Sequence, residues 1–212
     1  MDINAIAGEL RSSGFCAVEQ FISPALRAHL DGVCDDVCDD GATSRFAPAA
    51  VGRGEQRAHN AGFRGDVTSW LDDTQDADQD YLAVMEDLRA GLNEQLYLGL
   101  LDYEGHYAIY GTGAHYDRHM DTLAGSKNRL LSTVVYLHEE WATANGGELL
   151  LYRTDSPSPF TRILPKPGLM VLFLSEEFPH EVLAATKPRH SIAGWFRGRA
   201  PSQTETRPAL PR

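Results

Sequence analysis

Apolar side chains recur at helical spacing in the first forty residues, on both sides of one short extended run. Ile3, Ile6 and Leu10 form one stripe, and a second stripe begins at Leu26 and ends at Val37. Residues three or four apart share one face of a helix, so each stripe predicts an amphipathic helix. The stretch between the two stripes, GFCAVEQFI, predicts a strand.

Two local signals predict where further helices begin. Ser23 is a good N-cap, and Pro24 fits the first turn of a helix, where its missing N–H has no partner to lose. A third helix is predicted after the acidic run DDTQDADQD, whose charges complement the helix dipole. The residues expected on the buried face of this helix are Tyr81, Met85, Leu88, Leu92 and Leu96.

After about residue 100 the pattern changes to short β-rich runs separated by turn signals. The runs are HYAIY, LLSTVVYL, GELLLY, GLMVLFL and HSIAGWF, and the turns between them include NGG and PKPG. Several short strands without intervening helices indicate a sandwich or jelly roll and not a βαβ sheet. Residues 40–65 show no sustained period, which predicts a long loop or a loosely paired hairpin.

Length, charge and hydropathy limit the class of protein and its possible partners. The 212 residues suit a single domain, which we expect over residues 1–197, with a polar, disordered tail at 198–212. The net charge of −11 opposes binding to phosphate backbones or anionic lipid, and no apolar run is long enough to span a membrane. We therefore expect neither nucleic acid nor membrane as a partner.

The N-terminus and the cysteines favour the cytoplasm. MDINAIAGELRSSG has no basic flank before an apolar core, unlike a secretory signal. The three cysteines are too few and too clustered for a disulfide framework, and a reducing compartment suits them. No second Cys or His pair follows Cys34 and Cys38 at zinc-site spacing, so both are predicted to be ordinary helix residues.

The run HYDRHMD contains the pattern His-x-Asp twice, beginning at His115 and at His119. In a strand, residues two apart point to one face, so either pair could present an imidazole and a carboxylate to one metal ion. For either pair taken alone, the alternative explanation is a surface strand with alternating polar residues and no metal. A third ligand would be a His elsewhere in the β region, and His180 is the natural candidate, ahead of His138 and His190.

The last β-rich run predicts a pocket for a small carboxylate. Alternation places Arg189, Ser191, Ala193 and Trp195 on one face, whereas a filled core would carry Leu or Ile in place of Ser and Ala. An arginine can bind a carboxylate through two hydrogen bonds, and Tyr136 could add another. A structural arginine paired with a local acid is the alternative.

An ordered set of short motifs runs from residue 63 to residue 196. The set consists of RGDxxxW from Arg64, YxRHxD from Tyr116, Arg129 and Tyr136 in RLLSTVVYL, GGELLLY from Gly146, PHEV from Pro179, and Arg189 before SIAGWF. His180 and Arg189 are nine positions apart. In this order and spacing the chain resembles the iron(II)/2-oxoglutarate oxygenases, and more closely their prolyl hydroxylase domain family.

The resemblance implies which His-x-Asp binds metal. In this family the pair follows an arginine and has a tyrosine three residues before the His, as in YDRHMD from Tyr116. His115 would then be a neighbour that does not bind the metal. The implied catalytic iron ligands are His119, Asp121 and His180.

The same resemblance implies the remaining site residues and the fold. Arg189 would anchor the far carboxylate of 2-oxoglutarate, Tyr136 and Tyr110 would hydrogen-bond the cosubstrate, and Trp195 would wall the pocket. The fold would be mainly β with flanking α, a double-stranded β-helix (jelly roll) buttressed by the N-terminal helices. The implied substrate entrance comprises Arg129, Asp66, Trp70 and Tyr116, with Asp66 and Arg129 at positions that pair and residues 51–62 as a closing loop.

The implied activity is that of a dioxygenase that uses iron(II), 2-oxoglutarate and O2. It would form succinate and CO2 while hydroxylating a prolyl residue in a protein, such as a translation factor. A free amino acid or small metabolite is the alternative substrate. A non-catalytic sensor that binds iron and 2-oxoglutarate stays open as well, as does a structural jelly roll with an incidental His-x-Asp.

Overall fold

The computed structural model describes residues 1–35, 45–49, 62–122 and 128–199. Val37, Cys38, all but the last residue of the predicted closing loop at 51–62, and the tail from residue 200 lie outside the described residues. Within the described ranges the chain forms three helices and eleven strands. In chain order these are α1 Ile3–Ser13, β1 Phe15–Val18, α2 Pro24–Asp35, β2 Ala47–Pro48, β3 Asp66–Trp70, α3 Asp76–Leu96, β4 Leu100–Tyr110, β5 Tyr116–His119, β6 Arg129–Tyr136, β7 Leu149–Tyr152, β8 Pro159–Ile163, β9 Met170–Leu174, β10 His180–Val182 and β11 Arg189–Gly198.

Local capping determines where the N-terminal helices begin and end. The Asp2 side chain accepts a hydrogen bond from the N–H of Ala5 at the start of α1, and Gly14 ends the helix with a φ of 79° that favours glycine. The Ser23 hydroxyl accepts from the N–H of Leu26 at 3.1 Å, which confirms the predicted start of α2. None of the described helices is both long enough and apolar enough to cross a bilayer.

The strands form two antiparallel sheets, which confirms the predicted jelly roll. The large sheet has the order β1-β9-β6-β11-β4-β3-β2, and the small sheet has the order β5-β10-β7-β8. All five predicted β-rich runs contain a strand of the structure, although β4 begins six residues earlier than its run, at Leu100. The short strands β5 and β10 were not predicted, because YDRH and HEV lack the apolar alternation that marks a half-buried strand.

Alternation gives the large sheet a face covered by helices and a face that lines a cavity. The five predicted residues of α3 are all buried and pack with Ile192 and Phe196 of β11 in one core. Arg189, Ser191 and Trp195 occupy the alternate positions of β11, so their side chains face the other side of the sheet, and they line the cavity. The helices therefore support the sheet from behind and leave its second face for chemistry.

One acid in the first turn of α3 has a structural role that the sequence did not reveal. Asp78 is fully buried and accepts hydrogen bonds from the Arg45 guanidinium, the Tyr107 hydroxyl and the N–H of Asp72. Buried charges are stable only when they are paired and hydrogen-bonded. Asp78 thus joins α3 to strand β4 and to the segment before β2.

Replacing Asp78 with alanine should lower the free energy of unfolding by about 3 kcal/mol, because it leaves a partly buried arginine and a buried hydroxyl without their acceptor. Asp76→Ala is the matched control, since Asp76 lies in the same turn but is exposed. Urea denaturation of both variants measures the difference. Equal, small losses in the two variants would show that the Asp78 network contributes little.

Candidate active site

A cavity of about 370 Å³ is lined by residues of both sheets. Its walls bring together ten of the eleven residues predicted for the site from sequence. They are Trp70, Tyr110, Tyr116, His119, Asp121, Arg129, Tyr136, His180, Arg189 and Trp195. The eleventh residue, Asp66, is buried beside the cavity but does not line it.

Three side chains that could bind a metal ion converge on one wall of this cavity. One potential ligand atom from each of His119, Asp121 and His180 lies within 4.8 Å of the other two. His119 ends β5 and faces His180 at the start of β10 in the sheet register. Asp121 follows two residues after His119 and lies beyond the end of the strand. Its carboxylate oxygens are 3.9 Å from Nε2 of His119 and 3.6 Å from Nε2 of His180.

The competing histidines lie elsewhere. His115 is half-buried and Asp117 is exposed, with 3.5 Å between His115 Nε2 and an Asp117 oxygen, and neither lines the cavity. His138 contacts the Pro165 carbonyl oxygen through Nε2, and His190 contacts the Asp31 carboxylate through Nδ1. Of the two His-x-Asp pairs, only the second therefore has a further histidine, His180, beside it as a third potential ligand in the described residues.

Each of the three candidate ligands is oriented by a hydrogen bond to a neighbouring group. Nδ1 of His119 lies 2.7 Å from the Asp117 carbonyl oxygen, and Nδ1 of His180 lies 3.1 Å from that of Phe178. A carbonyl only accepts, so Nδ1 carries the proton in both rings and Nε2 keeps its lone pair. The Ser132 hydroxyl donates to Asp121 at 2.6 Å. Partners of this kind orient metal ligands in proteins.

The surroundings favour a neutral His119 imidazole and an ionised Asp121 carboxylate. Burial, together with the neighbouring His180, lowers the pKa of His119 to about 3. Burial alone would raise the pKa of Asp121, but His180, His119 and the Ser132 hydrogen bond outweigh it and lower that pKa to about 2. Two nitrogens and one carboxylate oxygen on one side of an ion form the donor set of non-haem iron(II) sites. The residues present fit that metal.

Replacing Ser132 with alanine should weaken iron(II) binding roughly 10- to 100-fold, because Asp121 loses the donor that orients it. Ser69→Ala provides the control, since Ser69 is also a buried serine of the large sheet but makes no hydrogen bond to Asp121 in the described residues. Anaerobic titration with iron(II) measures both affinities. A similar loss in the two variants would indicate a general packing effect and not loss of the Asp121 hydrogen bond.

Arg189 lies among tyrosines at another part of the cavity. It is 2% exposed, and its Nη1 donates to the Gly147 carbonyl at 2.6 Å. The guanidinium carbon is 4.3 Å from the ring centre of Tyr110 and 5.9 Å from that of Tyr136. Burial raises the pKa of Tyr136 to about 12 and raises that of Tyr110 further, so both hydroxyls keep their protons as hydrogen-bond donors.

No acid forms a salt bridge with Arg189 in the described part of the chain, and its Nε atom is buried without a hydrogen-bond partner there. Within the described residues, the alternative of a structural arginine paired with a local acid therefore finds no support. A buried cation that lines a cavity and lacks an anionic partner suits an anionic ligand.

The predicted pairing of Asp66 with Arg129 is also wrong. Asp66 pairs with Arg64 at 2.6 Å, and Arg129 pairs with Glu104 at 2.8 Å. In the large sheet, β4 and β11 lie between the strands of Asp66 and Arg129, which are therefore about 14 Å apart. The register also places Asp66 level with Arg189 and Arg129 level with Arg197, near the other end of β11. Arg129 instead lies over the Trp195 ring, with its guanidinium carbon 3.5 Å from the ring centre.

Some cavity residues were not predicted as site residues. Arg64 lies over the ring of Tyr116, which in turn stacks on His119 with ring centres 3.5 Å apart. Ser132 does not line the cavity itself, and its role could be assigned only from its three-dimensional contact with Asp121. His106 could have been found from sequence, because alternation in HYAIY places it on the same face as Tyr110.

Comparison with known proteins identifies similar chains that share this architecture. Residues 105–197 match the model of the 2OG-Fe(II) oxygenase superfamily. A prolyl-4-hydroxylase of Pseudomonas putida is 35% identical, with a TM-score of 0.80 over 93% of this chain and 100% of that chain. A prolyl hydroxylase of Trichoplax adhaerens, solved with a hypoxia-inducible factor peptide, has a TM-score of 0.77 over 92% of this chain and 88% of its own, and at 23% identity it shows the shared fold.

The curated relatives are longer proteins. The prolyl 3,4-dihydroxylase OGFOD1 of Ostreococcus tauri is 35% identical over 101 residues, which cover 42% of this chain and 19% of that relative. The Xenopus laevis prolyl 3-hydroxylase OGFOD1 is 35% identical over 88 residues, 17% of its length. The chain thus aligns with less than a fifth of each of these two relatives.

Proposed function

The chain belongs to the prolyl hydroxylase group of the 2OG-Fe(II) oxygenase superfamily, and on this premise we propose that it hydroxylates a prolyl residue in a protein substrate. The reaction consumes 2-oxoglutarate and O2 and gives succinate, CO2 and a hydroxylated proline. One oxygen atom enters succinate and the other enters the product. One observation carries the proposal. A single cavity has His119, Asp121 and His180 together on its wall, and it is also lined by Arg189, which has no acidic partner in the described residues.

His119, Asp121 and His180 would hold the iron. Both histidines keep the Nε2 lone pair for a metal, and Ser132 leaves the other oxygen of the Asp121 carboxylate available. When bound, iron(II) supplies the position at which 2-oxoglutarate and O2 react. No general base is required of the protein, whose part is to orient the reactants and exclude water.

Arg189, with Tyr136 and Tyr110, would bind the cosubstrate. The guanidinium offers parallel donors to the carboxylate farthest from the metal, and the two phenols can donate beside it. These groups are buried before any ligand binds, so little ordering is required when the keto acid enters.

The protein substrate would enter past Trp70, Arg129 and Tyr116. Trp70 is 51% exposed although it is a large aromatic residue, and all three line the cavity. Exposed aromatic rings beside a cavity commonly mark a surface for a partner. Trp195, held beneath Arg129, would form the wall next to the metal site. A translation factor stays a prediction of the sequence resemblance alone.

The substrate can be identified by mass spectrometry. The protein would be incubated with iron(II), 2-oxoglutarate and air in a host-cell extract, with the His119→Ala variant in a parallel sample. We expect one added oxygen on a proline of one protein, or of a few, only with the unmodified enzyme. Unmodified proteins together with an oxidised metabolite would contradict the proposal and favour a free amino acid or small metabolite.

A further inference from the structure

The cavity face of the large sheet is organised in rungs, each formed by residues that pair across β3, β4 and β11. The rung at Arg189 contains Tyr110 and Asp66, and four residues along β4 the rung of His106 contains Trp70 and Ala193. The intervening rung holds Thr68, Ala108 and Ser191.

The His106 rung lies between the Arg189 rung and the metal end of the cavity. Four residues of an antiparallel strand, about 14 Å, separate it from the Arg189 rung. The next paired residues beyond it include Trp195 and Ser132, and Ser132 contacts the candidate ligand Asp121. The His106 ring also lies edge-on to Trp70, the exposed aromatic residue of the proposed substrate entrance. We therefore expect this rung to face the protein substrate.

His106 presents a hydrogen-bond acceptor in this region. It is 4% exposed, lines the cavity, and its ring lies 5.3 Å from that of Trp70 and 5.6 Å from that of Trp195. Its Nδ1 is 3.0 Å from the Tyr107 carbonyl oxygen and so carries the proton. The hydrogen bond of the ring uses Nδ1, which leaves the Nε2 lone pair as the acceptor that the ring can offer.

The surroundings keep the His106 ring neutral. Burial, with the nearby Arg64 guanidinium, lowers the pKa of His106 to about 4, so the ring is neutral at physiological pH. Asp66 acts in the opposite direction and Arg129 in the same direction as Arg64, and each arginine is itself paired with an acid. A neutral imidazole nitrogen can accept a hydrogen bond from an uncharged donor such as an amide N–H.

We propose that His106 Nε2 is a specificity-determining acceptor that binds the backbone N–H of a residue next to the target proline. The inference rests on the proposed function. Proline within a chain has no N–H of its own, so an acceptor at this level of the cavity must serve a neighbouring residue. The contact would favour proline within a peptide chain over free proline.

A backbone ester scan tests the assignment. In a peptide spanning the hydroxylated proline, each flanking N–H is replaced in turn by an ester oxygen, which removes the donor without adding bulk. The peptides are compared on the wild-type enzyme, on His106→Phe, which keeps a ring between the two tryptophans, and on His106→Gln, which keeps an acceptor. Thermal unfolding shows that each variant is folded, and product formation gives kcat/KM.

One ester position should lower kcat/KM about tenfold on the wild-type enzyme. With His106→Phe, kcat/KM for the unmodified peptide should be about tenfold lower than with the wild-type enzyme. The same ester should then lower kcat/KM of this variant by less than about twofold. His106→Gln should recover part of the sensitivity to that ester. Ester penalties that are identical in wild type and His106→Phe at every position would overturn the assignment and leave the proposed function standing. If the wild-type enzyme hydroxylates no proline in any peptide or protein, the proposed function fails, and this inference fails with it.

Discussion

Replacing His119 with alanine should reduce iron(II) binding to the background level and lower succinate formation by at least about a thousandfold. The variant leaves only Asp121 and His180 of the three groups that converge in the cavity. A loss of several kcal/mol in stabilisation of the reacting complex corresponds to this factor, because each 1.36 kcal/mol is about tenfold in rate. Bound iron is measured by elemental analysis of the protein after anaerobic loading, and succinate by its formation from 2-oxoglutarate.

His115→Ala is the matched control, because His115 begins the other His-x-Asp pair of the same segment. It is half-buried, with Asp117 as its neighbour, and it does not line the cavity. This variant should retain both iron binding and turnover to within about twofold, as expected of a substitution outside the site. If His115→Ala loses iron and His119→Ala keeps it, the metal assignment and the register of β5 against β10 are both incorrect.

Replacing Arg189 with alanine should raise the KM for 2-oxoglutarate about a hundredfold or more while iron(II) binding is retained. The arginine is the buried cation at the cosubstrate end of the cavity, and hydrogen bonds between charged groups contribute roughly 1.5 to 3 kcal/mol each. Arg189→Lys keeps the charge but loses the planar fork, so an intermediate KM is expected. Steady-state kinetics with varied 2-oxoglutarate provide the measurement.

A keto acid without the distal carboxylate makes this test specific. The wild-type enzyme should strongly prefer 2-oxoglutarate to 2-oxobutyrate, and Arg189→Ala should lose most of that preference. Arg197→Ala is the control, since Arg197 lies on the same strand but pairs with Asp102 and Glu104 outside the cavity. An unchanged preference in Arg189→Ala would show that the far carboxylate binds elsewhere.

Regular periodicity in the sequence was sufficient to predict the supporting parts of the fold. The apolar stripe of α3 and the alternation along β11 specify which side chains enter the core and which enter the cavity. These elements could be predicted because burial of apolar surface imposes the period of the backbone on the sequence.

The strands that carry the candidate metal ligands could not be predicted in the same way. YDRH in β5 and HEV in β10 use polar residues where a structural strand would alternate with apolar ones, as expected where function overrides local preference. Long-range pairing was equally inaccessible. Asp66 and Arg129 do not contact each other, and this follows only from the order and register of strands in the sheet.

Asp78 shows a different limit of sequence interpretation. Its position in an acidic first turn suggested only a charge that complements the helix dipole, whereas the side chain is also fully buried against Arg45 and Tyr107. A carboxylate in a helical first turn has the same sequence signature in both cases. Only the packing of α3 on the sheet distinguishes them.

The most direct test of the central claim is the fate of isotopically labelled dioxygen during turnover. The enzyme is supplied with iron(II), 2-oxoglutarate and a pool of proline-containing peptides, and succinate and peptides are analysed by mass spectrometry. The structure and the family relationship predict one labelled oxygen in succinate and one in a hydroxylated proline, in equal amounts. Absence of succinate under all of these conditions would contradict an oxygenase activity and favour a protein that binds iron and 2-oxoglutarate without turnover.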